Sequence, residues 1–108
     1  MRITETTQYW ALEGKSEAVL ATRIEVSRAR IRIGLEPGVI RVRVGEGDGP
    51  DVTWAATFAS EEDHATDVKM RVTSSDFSAL RDRMMGITAR FDRLLEREVS
   101  EATDIESR

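Results

Sequence analysis

Residues 39–58 constrain the fold more than any other stretch of this chain. Val39-Ile40-Arg41-Val42-Arg43-Val44 alternates apolar and polar side chains, Gly45-Glu46-Gly47-Asp48-Gly49-Pro50 follows, and then Asp51-Val52-Thr53-Trp54-Ala55-Ala56-Thr57-Phe58. Two period-2 runs about a cluster of turn residues predict a β-hairpin. At 108 residues the chain makes one domain with a thin core. Such a chain buries roughly 60–68% of its unfolded surface, so a further apolar face is expected to be shared with another subunit.

The flanking segments are read around this hairpin. Residues 3–12 alternate and are rich in strand formers, with Trp10 and Leu12 on one face and Ile3, Glu5, Thr7 and Tyr9 on the other. After Glu13-Gly14-Lys15, Ser16 is the expected cap of a helix opening at Glu17. Leu20, Ile24, Ser27 and Ile31 then share a helical face, so the helix is expected to reach about Ile31 and to end at Gly34. The alternation of Ala29, Ile31, Ile33 and Leu35 with arginines leaves a strand as the alternative. Pro37-Gly38 suits a type II turn into Val39.

Beyond the hairpin, Ser60-Glu61-Glu62-Asp63 resembles a capping box, and Ala65, Val68 and Val72 form the expected apolar stripe of a short helix. Ser74-Ser75-Asp76 starts another. Phe77, Leu80, Met84, Ile87 and Phe91, spaced three, four, three and four, predict one long amphipathic helix. Residues 94–99 read as a last strand and the polar residues from Ser100 onward as a tail. The order is that of a ferredoxin-like βαββαβ α+β fold: a four-stranded antiparallel sheet with helices on one face. Residues 1–100 are the expected domain and 101–108 the polar C-terminal tail.

Trp10, Leu12, Ile40, Val42, Val44, Val52, Trp54, Ala56 and Phe58 are expected to face the helices. The other sheet face would carry Ile3, Glu5, Thr7, Tyr9, Val39, Arg41, Arg43, Ala55 and Thr57. A face both apolar and charged fits a sheet-to-sheet homodimer whose charges pair across the seam. A monomer whose charges guard an edge strand is the alternative.

Gln8-Tyr9-Trp10-Ala11-Leu12-Glu13-Gly14-Lys15, followed by Ser16-Glu17-Ala18, resembles the first strand and turn of dimeric α/β-barrel proteins. Residues 54–58 with Ser60-Glu61-Glu62, and the stripe from Phe77 to Leu94-Leu95, extend the resemblance over residues 3–99. It implies two four-stranded sheets closing a barrel across a twofold axis. The superfamily includes NIPSNAP-like proteins, cofactor-free monooxygenases of antibiotic biosynthesis, lactone isomerases and haem-binding members. The resemblance is to the NIPSNAP-like or the antibiotic-biosynthesis-monooxygenase-like branch, and a fold by itself does not fix a function.

Candidate chemistry is sparse. Arg23, Ser27 and Arg30 share one side of the first helix, and with Trp10 and Trp54 beneath they could seat a planar or anionic ligand. The plainer reading is arginines at the solvent boundary and tryptophans in the core. Met84, beside Met85 and Gly86, reads as an adaptable pocket wall or as core. Trp10, Arg23, Ser27, Arg30, Trp54 and Met84 are thus the candidate ligand residues. His64, the only histidine, could act as a general base or sit at the surface beside Glu61, Glu62 and Asp67. A single histidine and no cysteine make a metal or haem site improbable, and no cofactor is expected. The glycines at 45–49 precede a strand rather than a helix, so they make a turn rather than a phosphate loop. No catalytic triad or nucleophile elbow is evident.

A net charge of −4 argues against nucleic acid or anionic membrane as partner. Lys15 and Lys69 are the only lysines, and arginine dominates the basic residues. No signal-like start or long apolar span is present, so a cytoplasmic protein is expected. The expected function is binding or modification of a small aromatic or carboxylated molecule by a homodimer. Cofactor-free oxygenation of an aromatic substrate is the enzymatic alternative, and a structural or interaction module the non-catalytic one. An open cavity lined by Trp10, Trp54 and Arg23 would favour binding; a filled helix–sheet layer would favour the module.

Overall fold

A computed structural model describes residues 2–99. The expected tail from residue 101 lies outside them. In chain order the elements are β1 (Ile3–Ala11), α1 (Ser16–Arg32), β2 (Val39–Val42), β3 (Val52–Phe58), α2 (Glu61–Val72), α3 (Ser75–Met85) and β4 (Thr88–Arg97). The four strands form one antiparallel sheet in the order β2-β3-β1-β4. This is the expected ferredoxin-like α+β arrangement, with its second helix divided in two.

Several elements end where local chemistry dictates. α1 runs to Arg32, and Gly34 turns the chain out of it at φ +87°, which overturns the strand alternative. Its first helical residue is Ser16, whose hydroxyl makes no capping bond, so the expected N-cap is displaced to Lys15. α2 begins as the capping pattern requires: the Ser60 hydroxyl accepts from the Asp63 backbone N–H at 3.1 Å. Glu61, Glu62 and Asp63 lie in its positive first turn, and Lys69 and Arg71 in its last. Gly38, at φ +77°, has no room for a side chain, since a Cβ there would strike the Trp54 indole.

The structure corrects three readings of side-chain direction. First, β1 is inverted. Ile3, Glu5, Thr7 and Tyr9 are buried beneath the helices, while Trp10 lies on the outer face and Leu12 is exposed. Register confirms the sides, because Tyr9 lies opposite Val52, Thr7 opposite Trp54 and Glu5 opposite Ala56. Second, α3 ends at Met85, so Ile87 falls in the turn and Phe91 on β4, which starts at Thr88 rather than near Leu94. A 3-4-3-4 spacing suited one helix, but its last two members belong to the next turn and strand. Third, α2 turns His64, Asp67, Val68 and Arg71 inward, and leaves Ala65 and Val72 exposed. On the hairpin, β2 is shorter than expected, and Val44 projects into solvent.

The apolar core is small. Tyr9, Val19, Val52 and Met84 form it, with Ala11, Leu20, Ile40 and Ile87 packed against them. The rest of the layer between helices and sheet is filled by charged and aromatic side chains.

Candidate functional site

Inward-facing positions of β1, α1, β3 and α2 converge on a polar cluster. On α1, Arg23, Ser27 and Arg30 follow at steps of four and three, so one face carries all three under the helix. Arg23 and Arg30 both bring their guanidinium carbons over the Trp54 ring, at 4.5 and 4.8 Å from its centroid. The Trp54 indole N–H donates to the Pro37 carbonyl at 2.8 Å, and the Ser27 hydroxyl donates to the same carbonyl at 2.9 Å. These bonds tie the chain between α1 and β2 onto the ring.

Two carboxylates balance most of the cations. Asp67 accepts a bidentate pair from Arg30, at 3.1 and 2.6 Å, and lies 3.6 Å from the Arg71 Nε. Glu5, 1% exposed, accepts two bonds from Arg71 at 3.0 and 2.7 Å, contacts His64 Nε2 at 2.7 Å, and lies 3.7 Å from the Arg93 Nε. Burial raises the Glu5 carboxyl. The hydrogen bonds from Arg71 and His64, with the charges of Arg71 and Arg93, outweigh that and hold it below the ordinary range.

Arg23 is left over. It is 6% exposed and donates through Nη1 to the Tyr9 hydroxyl at 3.0 Å. Its Nε is buried without a partner, and among the described residues no carboxylate pairs with it. Burial lowers its pKa first; Tyr9 opposes that, and the nearby charges of Arg30 and Arg71 add to it. The Nε and Nη2 of an arginine form its side-on fork, the edge that takes a carboxylate with two parallel bonds. On Arg23 that fork is unfilled.

Of the six candidate ligand residues, the structure brings Arg23, Ser27, Arg30 and Trp54 together. Met84 sits in the apolar core beside Tyr9. Trp10 is on the opposite sheet face, where its indole N–H donates to the Asp48 carbonyl at 2.9 Å and Arg90 stacks on it at 4.3 Å. Glu5, Tyr9, His64, Asp67 and Arg71 were not among the candidates. Their signal in the sequence is the helical spacing of His64, Asp67 and Arg71, a stripe of the right period and unexpected polarity. His64 is neither a surface residue nor a lone base: it is partly buried against Glu5 and meets the Phe58 ring edge-on at 5.0 Å.

The layer around Trp54 is closed, since that residue is 1% exposed. A cleft of about 380 Å³ lies instead between α1 and α3, beside Arg28, Arg32 and Asp76, and one of about 200 Å³ lies at the start of α1. Neither is lined by Arg23 or Trp54. Among the described residues no cluster of His, Cys, Asp and Glu could hold a metal ion, and no helix is long and apolar enough to cross a membrane.

Comparison with solved structures places this geometry in a known architecture. A NIPSNAP family protein from Agrobacterium tumefaciens superposes with a TM-score of 0.69 at 17% identity, over 91% of this chain and 86% of that one. A dimeric protein of unknown function and ferredoxin-like fold from Bacteroides fragilis gives 0.63 at 12% identity, over 90% and 96%. The chain has the ferredoxin-like fold. A putative antibiotic biosynthesis monooxygenase from Bacteroides thetaiotaomicron is also similar, with a TM-score of 0.60 at 16% identity over 94% of this chain and 92% of that one. Both branches the sequence resembles are thus among its structural neighbours. No family model and no curated protein sequence matches it.

Proposed function

We propose that this protein is a homodimeric α/β-barrel protein that binds a small carboxylated molecule in the layer between helices and sheet, seated on Arg23. The unfilled Arg23 fork carries this reading. A buried cation without a counter-charge is costly, and a ligand carboxylate docked side-on would supply both the charge and an acceptor for the unpartnered Nε. The cluster holds Arg23, Arg30 and Arg71 against Glu5 and Asp67, with the more exposed Arg93 at the edge of Glu5, so cations are in excess and an anion suits it. Support for the dimer comes from the mixed outer sheet face and from the similar Bacteroides fragilis protein, which is described as dimeric.

An aromatic substrate is less well served by this layer. Both arginines already crowd the Trp54 ring and its N–H is committed to Pro37, so the ring offers little free surface for stacking an oxygenase substrate. The closed layer at Trp54, with neither cleft lined by Arg23 or Trp54, meets the condition set for the non-catalytic interaction module, which is the second reading. The binding reading rests on the Arg23 Nε and requires the layer to open there.

Sodium benzoate, titrated at constant ionic strength against chloride, separates the two. The carboxylate should raise the melting temperature of the wild type in a concentration-dependent way. Arg23→Met keeps the volume and removes the fork, and it should abolish the response. A wild type no more stabilised by benzoate than by chloride, or an equal response from both proteins, would leave the interaction module standing.

A further inference from the structure

Tyr9 stands between the apolar core and the polar cluster. Its ring packs with Val19, Val52 and Met84 and meets the Phe91 ring at 5.6 Å, while its hydroxyl reaches Arg23 on α1. The residue is 5% exposed, and its ladder partners, Val52 on β3 and Phe91 on β4, fix where the ring stands. An arginine N–H can only donate, so in the 3.0 Å contact with Arg23 Nη1 the Tyr9 oxygen is the acceptor. The proton of the hydroxyl must then go elsewhere. Among the described residues no acceptor receives it.

The neighbouring donors already have acceptors. Arg30 Nε donates to the Glu36 carbonyl at 2.6 Å, and its two Nη atoms donate to Asp67. Ser27 and the Trp54 indole share the Pro37 carbonyl, and Arg71 donates to Glu5. What remains is the Arg23 fork and the Tyr9 O–H, two donor groups joined by one hydrogen bond. A buried hydroxyl that accepts but does not donate has given up the hydration of its proton without return.

We propose that the molecule seated on Arg23 carries a second oxygen on the carbon next to its carboxylate, and that Tyr9 selects for it: the ligand is an α-keto or α-hydroxy acid. This rests on the carboxylate reading given above. The carboxylate takes the Arg23 fork, and the neighbouring oxygen accepts the Tyr9 proton. One donor group belongs to the guanidinium and the other lies a single hydrogen bond from it, so the second acceptor has to be close to the carboxylate. An α-amino acid is the wrong partner, since its ammonium offers Tyr9 no acceptor and would enter a site where cations are in excess. A simple fatty acid leaves the Tyr9 proton unpaired, and that unmet donor sets the preference.

Propionate, lactate and pyruvate test this, because each has three carbons and one carboxylate and they differ only at the second carbon. At constant ionic strength against chloride, lactate and pyruvate should raise the wild-type melting temperature at concentrations on the order of tenfold lower than propionate. Tyr9→Phe keeps the ring and removes the donor, and the advantage should vanish with it. Tyr9 is the only tyrosine, so fluorotyrosine labelling of the otherwise wild-type chain places one fluorine resonance at the phenol. That resonance should move further with saturating pyruvate than with saturating propionate, which tests the contact even where Tyr9→Phe does not fold. Equal potency of the three acids, an advantage that persists in Tyr9→Phe, or a fluorine shift no larger with pyruvate would overturn the role of Tyr9. If benzoate still stabilises the wild type through Arg23, the carboxylate reading survives that result. If benzoate has no effect, that reading falls as well.

Discussion

At one end of the helix–sheet layer Tyr9, Val19, Val52 and Met84 close on one another by apolar contact. At the other end Glu5, Asp67, Arg30 and Arg71 fill the same depth with charge. β1, α1 and β3 contribute to the layer at both ends, α3 covers the apolar one through Met84, and α2 covers the charged one through Asp67 and Arg71. Apolar packing gains from leaving water and needs no partner of particular geometry. The charged end must repay the desolvation of each ion, and it holds together only while every carboxylate keeps its guanidinium. A chain with a core this thin has little reason to fill half of it with ions for stability alone. The charged end is the one on which the proposed function rests.

The largest effect expected from breaking this contrast is at Asp67. Asp67→Ala leaves Arg30 buried without its bidentate partner, and should cost about 3–5 kcal/mol in chemical denaturation. Met84→Ala removes volume from the apolar end and should cost about 2–4 kcal/mol, with the same value at pH 5 and pH 7. A Met84 penalty that exceeds the Asp67 penalty would mean that the ionic cluster is looser than its geometry. The effect of acid is nil at neutral pH and grows only below it. The Glu5 carboxyl is held lower in the folded chain than in the unfolded one. Its contribution is therefore complete above the unfolded value of about 4.3 and is lost as pH falls through the folded value. Acid unfolding followed by circular dichroism should show this loss in the wild type and keep the Met84→Ala difference constant. A Met84→Ala penalty that shrinks with the acid transition would show that the two ends are not independent.

The same contrast explains what the sequence disclosed. Element order, the hairpin and the ferredoxin-like topology were legible, because strand alternation, Pro37-Gly38 and the Ser60 cap are local signals. Sidedness on β1 was not. Ile3 and Tyr9 competed with Trp10 and Leu12 for the inward face, and Glu5 weighed against the correct side because its partner, Arg71, is 66 residues away. α2 failed in the same manner, since Asp67 and Arg71 occupy inward positions that apolar periodicity assigns to Ala65 and Val72. Four of the six candidate ligand residues assemble: Arg23, Ser27, Arg30 and Trp54 meet, because one helix face and one strand suffice to gather them. Trp10 went to the other side with the rest of its parity.

That division gives the molecule two intrinsic light emitters on opposite sides of one sheet. Trp54 is sealed among guanidinium groups beneath the helices, and Trp10 lies at the outer surface under Arg90. Emission from the first reports on events inside the layer, and quenching of the second reports on whatever covers the sheet. With one indole replaced at a time, the chain distinguishes occupancy from association without any attached dye.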